Sequence, residues 1–205
     1  MFCTDYYRVC SYFEHPPRYQ ILHCLRNRVI GGTSIFVDAI RAASILRDTN
    51  PEAFDILSTT PVAFHYINDG HHLHHSHPTI ELAAAPPSRP VETERTINYI
   101  NYSPPFQAPL SLFTTFPAFY PALAEFASLL AKPELTFEYT LREGDAVLFD
   151  NRRVLHARTA FSDREGENAG HEGEENRWLK GCYLEGDALL DRGRVMRTKA
   201  GQGLL

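Results

Sequence analysis

Two side chains in this sequence have the types and spacing for metal and carboxylate chemistry: His156 and, twenty-one residues later, Arg177. His156 lies near the end of Gly144-Asp145-Ala146-Val147-Leu148-Phe149-Asp150-Asn151-Arg152-Arg153-Val154-Leu155-His156-Ala157-Arg158. Gly144-Asp145 is a turn pair, and Ala146 to Phe149 is a short apolar run that fits a core strand. Asp150-Asn151 can bend the chain by bonding its own backbone. Val154-Leu155 opens a second strand, and a rigid sheet there can aim the His156 imidazole into a cavity. Arg177 heads a following strand, Arg177-Trp178-Leu179-Lys180-Gly181-Cys182-Tyr183. A metal-ligating imidazole beside a guanidinium that grips a carboxylate is what an iron(II) enzyme using 2-oxoglutarate needs. The plainer readings are a histidine satisfied by hydrogen bonds and an arginine in an exposed salt bridge.

The elements that must position these groups follow from pattern. Arg18 to Arg28 reads as a strand with a buried run at Tyr19 to Leu25. Gly31-Gly32 is a turn, and Thr33 to Val37 is a β-branched and aromatic strand. Asp38 to Leu46 is a helix with Ile40, Ala43, Ile45 and Leu46 on its apolar side. Asn50 caps a second helix that runs to Ser58, with Pro51 at its first position. Pro61 to Ile67 is a strand, His71 to His77 a polar loop, and Pro86 to Pro90 another loop. Thr96 to Tyr102 is a strand, Ala118 to Ala131 the longest helix, and Leu135 to Leu141 a strand. Arg164 to Glu175 is acidic and has no apolar residue larger than Ala169, so it is expected to be an exposed loop. Trp178 to Leu184 is a strand, and the tail is partly helical, then frayed. Many short strands with a few helices suggest a mainly β barrel or jelly roll.

At 205 residues the chain is one domain by size. A formal net charge of −5 argues against a nucleic-acid surface. No apolar run is long enough to span a bilayer, and the first residues carry no secretory signal. Cys3, Cys10, Cys24 and Cys182 form no CxxC pair, so neither a zinc site nor a disulfide framework is expected. Reduced thiols and an intracellular protein, cytoplasmic or mitochondrial, are expected instead. The His71-His72-Leu73-His74-His75-Ser76-His77 cluster matches no structural zinc spacing and is expected to be solvated.

The chain resembles the TauD/TfdA-type 2-oxoglutarate dioxygenases, within them the γ-butyrobetaine and trimethyllysine hydroxylase branch. Five segments carry the resemblance: Pro16 to Cys24, Gly31 to Asp38, Ile100 to Ser103, Phe149 to Arg158 and Arg177 to Tyr183. The resemblance implies a double-stranded β-helix (jelly roll), mainly β with helices, incomplete at its N-terminus. It divides the chain into an atypical segment 1–11, a catalytic domain 12–197 and a tail 198–205. His156 is then an iron(II) ligand, and Arg177 holds the distal carboxylate of 2-oxoglutarate, with Arg164 as its rival. Ser34 contacts the same co-substrate. Asn101 and Tyr183 face the substrate, a small trimethylammonium compound whose cationic head suits aromatic faces. O2 would split 2-oxoglutarate to succinate and CO2 while the substrate is hydroxylated, with ascorbate as a compatible accessory reductant. The expected substrate is γ-butyrobetaine, in carnitine synthesis; trimethyllysine is the alternative. A homodimer is compatible with this reading, and neither nucleic acid nor membrane is an expected partner.

One departure bears directly on the chemistry. The family holds iron with His-x-Asp plus a distant His, and no His-x-Asp occurs in these 205 residues. Cys3-Thr4-Asp5 imitates the motif with Cys for His, a few residues too far from Tyr12. Asp5 is the one carboxylate candidate, and neither His15 nor His23 is expected to replace the missing imidazole. The chain thus reads as a truncated catalytic domain or a mis-spliced gene model with a damaged iron site, whose second reading is a non-catalytic remnant.

Overall fold

The computed structural model describes residues 10–84, 95–110, 117–163 and 175–203. In chain order the strands and α-helices are β1 (Tyr19–Asn27), β2 (Val29–Gly31), β3 (Ser34–Asp38), α1 (Ala39–Thr49), α2 (Pro51–Thr59), β4 (Pro61–Asn68), β5 (His71–Pro78), β6 (Ile80–Leu82), β7 (Ile97–Ile100), α3 (Phe119–Leu130), β8 (Thr136–Tyr139), β9 (Ala146–Asp150), β10 (Val154–Arg158), β11 (Phe161–Asp163), β12 (Arg177–Leu184) and α4 (Gly186–Gly201).

Side chains start the first two helices. Asp38 Oδ1 accepts the Arg41 N–H at 3.2 Å, and Asn50 Oδ1 accepts the Ala53 N–H at 3.1 Å. Pro51 opens α2, where its missing N–H removes no helical bond. Asn50 also donates from Nδ2 to Glu125 Oε2 at 2.7 Å, which ties α2 to α3. Asn50→Ala should therefore cost about 1–2 kcal/mol of unfolding free energy, from the cap and from that bond. An unchanged urea midpoint would contradict this.

Two antiparallel three-stranded sheets, ordered β12-β1-β9 and β10-β3-β8, face each other. The β11-β2, β4-β5 and β6-β7 ribbons complete the strands. Helices α1, α2 and α3 cover the outer side of β10-β3-β8, where Val37 and Leu155 join a core containing Leu46, Leu57, Phe126 and Leu130. Side chains alternate along a strand. Burying Val37 and Leu155 against the helices therefore turns Phe36 and His156 toward the other sheet. Phe149 of β9 meets them there, its ring centroid 5.4 Å from Phe36 and 5.3 Å from His156. The result is the jelly roll expected from the sequence.

One expectation is corrected. His71 to His77 is not a loop but β5, paired along its length with β4. Asn68 pairs with His71, leaving Asp69-Gly70 as a two-residue turn with φ of 51° and 77°. Such a turn needs positive φ at both positions, and Asp-Gly supplies it. The polar composition hides a strand whose inward side is Leu73, His75 and His77; His77 Nε2 lies 2.8 Å from the Phe13 carbonyl oxygen. At the other end, α4 runs to Gly201, across the boundary drawn at residue 198, and none of its residues is buried.

Candidate functional site

The candidate site is the groove between the two sheets. Cross-strand partners point to the same face, so the pairs His156–Phe36 and Arg158–Ser34 put all four side chains on the inner side of β10-β3-β8. Ser34 is 5% exposed. Phe137 and Tyr139 of β8 extend that face through their pairing with Phe36 and Ser34. Opposite, Gln20 pairs with both Phe149 and Tyr183, and its Nε2 donates to the Tyr183 hydroxyl at 3.3 Å. Tyr183 thus lines the groove, still 37% exposed.

Arg177 shares the inner face of β12 with Tyr183, since both are odd-numbered positions of an unbroken strand. Its guanidinium donates to the Gly32 carbonyl oxygen at 3.4 Å. That approach depends on glycine. A Cβ on Gly32 would lie 3.0 Å from Arg177 Nε, and the residue holds φ +69°. The preceding Gly31, at φ +84°, leaves only 2.4 Å between a Cβ and the Ala160 carbonyl oxygen. The Gly31-Gly32 turn therefore lets Arg177 pack against the backbone that leads into Ser34.

Burial pushes the His156 imidazole down to about 4 from its ordinary 6.5. The neutral ring presents a nitrogen lone pair, the form a metal ligand requires. Between pH 6.5 and 4 the unfolded chain holds the proton and the folded chain does not. The linked stability is complete above pH 6.5 and is lost as pH falls toward 4, by at most about 3 kcal/mol. Urea midpoints at pH 7 and 4.5 should therefore fall further for the wild type than for His156→Gln. An equal fall contradicts the burial.

The structure brings His156, Ser34, Tyr183 and Arg177 to one groove. Asn101 is itself fully buried and belongs to a different network. Its Nδ2 donates to the Pro78 carbonyl oxygen at 2.9 Å and to Glu81 Oε2 at 3.1 Å. Glu81 also accepts from Arg152 at 3.3 Å. Both amide hydrogens of Asn101 are engaged within the protein. Asp5, Cys3 and Arg164 lie outside the described residues.

The residues present can be set against what iron and 2-oxoglutarate require. Among the described residues no three His, Cys, Asp or Glu side chains converge on a point that could hold a metal ion. His23 sits on the outer face of β1, opposite Lys180 and Ala146. His15 lines a cleft of about 200 Å³ with Arg18, Tyr99 and Arg152. The described residues therefore do not fit an iron triad. They do fit a carboxylate, because Arg177 is fixed by the Gly32 cradle at one end of an aromatic groove.

Sequence reasoning assigned no role to Phe161 or to Arg158, whose guanidinium shares the Phe161 ring with that of Arg177. The signal for Arg158 was available, since it lies two residues beyond His156 on the same strand face. Among the described residues no helix is long and apolar enough to cross a membrane, and Cys24 and Cys182 are free thiols.

Two facing antiparallel sheets with helices on one outer side define a double-stranded β-helix. A taurine dioxygenase from Burkholderia xenovorans shares this fold at a TM-score of 0.61 and 17% identity, over 87% of this chain and 56% of that one. The chain belongs to the taurine catabolism dioxygenase TauD, TfdA family, whose model matches residues 9–183. Its lineage is that of 2-oxoglutarate-dependent dioxygenases. It is 57% identical over 186 residues to dioxygenase str8 of Strobilurus tenacellus, covering 91% of this chain and 42% of that protein. It is 32% identical to human γ-butyrobetaine dioxygenase, covering 98% of this chain and 48% of that protein. Against human mitochondrial trimethyllysine dioxygenase the identity is 30%, covering 93% and 42%. The chain spans just under half the length of these curated relatives.

Proposed function

We propose that this chain is the co-substrate-binding barrel of a γ-butyrobetaine-hydroxylase-like dioxygenase that binds 2-oxoglutarate but turns it over poorly. The observation that carries the reading is the packing of Arg177 against Gly32 on the same groove as His156 and Ser34. Arg177 holds the distal carboxylate through charge-assisted hydrogen bonds, and Ser34 offers its hydroxyl to the same ligand. Where iron is also held, 2-oxoglutarate would supply two of the four electrons that reduce O2, losing CO2 to become succinate, and the hydroxylated C–H bond would supply the other two. Tyr183 offers an aromatic face to a trimethylammonium head. This reading assigns iron to His156, a neutral imidazole, with Asp5 as the remaining candidate. No His-x-Asp motif accompanies them in these 205 residues. The same reading includes an intracellular site, cytoplasmic or mitochondrial, and a homodimer, tested by cell fractionation and sedimentation velocity.

Support for the γ-butyrobetaine branch over the trimethyllysine branch is the slightly higher identity, 32% against 30%. Ligand-observed NMR on the purified chain, in 2-oxoglutarate, tests it. Saturation transfer to the γ-butyrobetaine methyl groups is expected, and it should be lost in Tyr183→Ala. Transfer to trimethyllysine alone would move the assignment to the other branch.

A further inference from the structure

Phe161 is 43% exposed and stands outside the hydrophobic core, yet its ring carries two cations. The Arg158 guanidinium carbon lies 4.4 Å from the ring centroid, and that of Arg177 lies 5.4 Å from it. Both distances are within cation–π range. Phe161 is held where it is by local backbone geometry. It pairs with Gly31 in the β11-β2 ribbon, and the Gly32 N–H donates to the Ala160 carbonyl oxygen at 3.1 Å. The turn that brings Gly32 under Arg177 therefore also sets the ring. Arg158 reaches it from the inner face of β10, paired with Ser34 and two residues from His156.

We infer that Phe161 is a positioning residue that holds Arg158 beside Arg177, so that the anion-binding end of the groove carries two guanidiniums rather than one. This rests on the reading of Arg177 as the co-substrate anchor and adds a second cation and its aromatic support. Both cations share one ring, so the two guanidinium carbons lie within about 10 Å of each other. A carboxylate docked on Arg177 then sits in the field of Arg158 as well. Arg158 is exposed, so its contribution is screened and falls with salt. Its Nη1 donates to the Thr159 carbonyl oxygen at 3.2 Å, a bond that leaves further donors on the guanidinium. The ligand class this end selects is a dicarboxylate that extends its second carboxylate away from His156.

The test is calorimetric titration of 2-oxoglutarate into the purified chain at several sodium chloride concentrations. The variants are Arg158→Gln, Arg158→Lys, Phe161→Leu and Phe161→Tyr, with Arg177→Gln marking the site itself. Arg158→Gln should weaken binding about 2- to 5-fold and flatten its salt dependence, whereas Arg158→Lys should keep the salt dependence. Phe161→Leu should act in the same direction as Arg158→Gln, with Phe161→Tyr near wild type. A structural role alone would lower affinity without changing the salt slope. If Arg158→Gln leaves both affinity and salt slope unchanged while Arg177→Gln abolishes binding, the two-guanidinium site is overturned and the Arg177 anchor stands. If the wild type binds no 2-oxoglutarate, or Arg177→Gln binds it as well, the anchor fails first. Should Phe161→Leu unfold, the exposed Arg158 variants decide.

Discussion

Replacing Arg177 with glutamine is expected to weaken 2-oxoglutarate binding by roughly 30- to 150-fold, the loss of about 2–3 kcal/mol from a charge-assisted contact. Glutamine keeps a hydrogen-bond donor and much of the side-chain volume but removes the charge, so the loss reports on the ion pair. The backbone beneath Arg177 supplies an independent check. Gly32→Val puts a branched side chain where even a bare Cβ would stand 3.0 Å from Arg177 Nε, at a φ of +69° that β-branched residues avoid. It should displace the guanidinium and weaken binding without touching any charged residue. Titration calorimetry reads both. A dissociation constant unchanged in Arg177→Gln would mean that this guanidinium does not meet the co-substrate.

Much of this groove was legible in the sequence because it depends on short-range pattern. The apolar run Ala146 to Phe149, the polar turn and the Val154-Leu155 start fix two strands, and strand alternation alone then separates Leu155 from His156. The Gly31-Gly32 pair marks a turn, although its role as the floor under Arg177 depends on a contact across 145 residues. The caps at Asp38 and Asn50 likewise follow local rules. What stayed hidden has two physical causes. Composition misled at His71 to His77, where histidines look like a loop and only the Asp69-Gly70 turn betrays the hairpin. Long-range pairing decided the rest. Asn101 reads equally as a substrate amide or a buried structural one, and only its bonds to Pro78 and Glu81 show where its hydrogens go. Phe161 joins Arg158 and Arg177 through a ribbon, β11-β2, that no single segment announces.

The second large effect concerns turnover. The described residues place one imidazole, His156, in the groove and assemble no three-ligand group around it. A facial triad fixes where the oxidant forms, and catalysis falls steeply when that geometry is loose. Supplied with Fe(II), 2-oxoglutarate, ascorbate and γ-butyrobetaine, the chain is expected to release succinate at below about 1% of the rate of a full-length γ-butyrobetaine dioxygenase. Its 2-oxoglutarate binding should persist, since the Arg177 contact is an ion pair that needs no metal. The decisive measurement pairs the two assays on one preparation. Calorimetric binding of 2-oxoglutarate that Arg177→Gln removes, together with near-absent succinate release, is the predicted result. Succinate release comparable to the full-length enzyme and abolished by His156→Ala would contradict it, and would make Asp5 and Cys3 the residues to examine as working iron ligands.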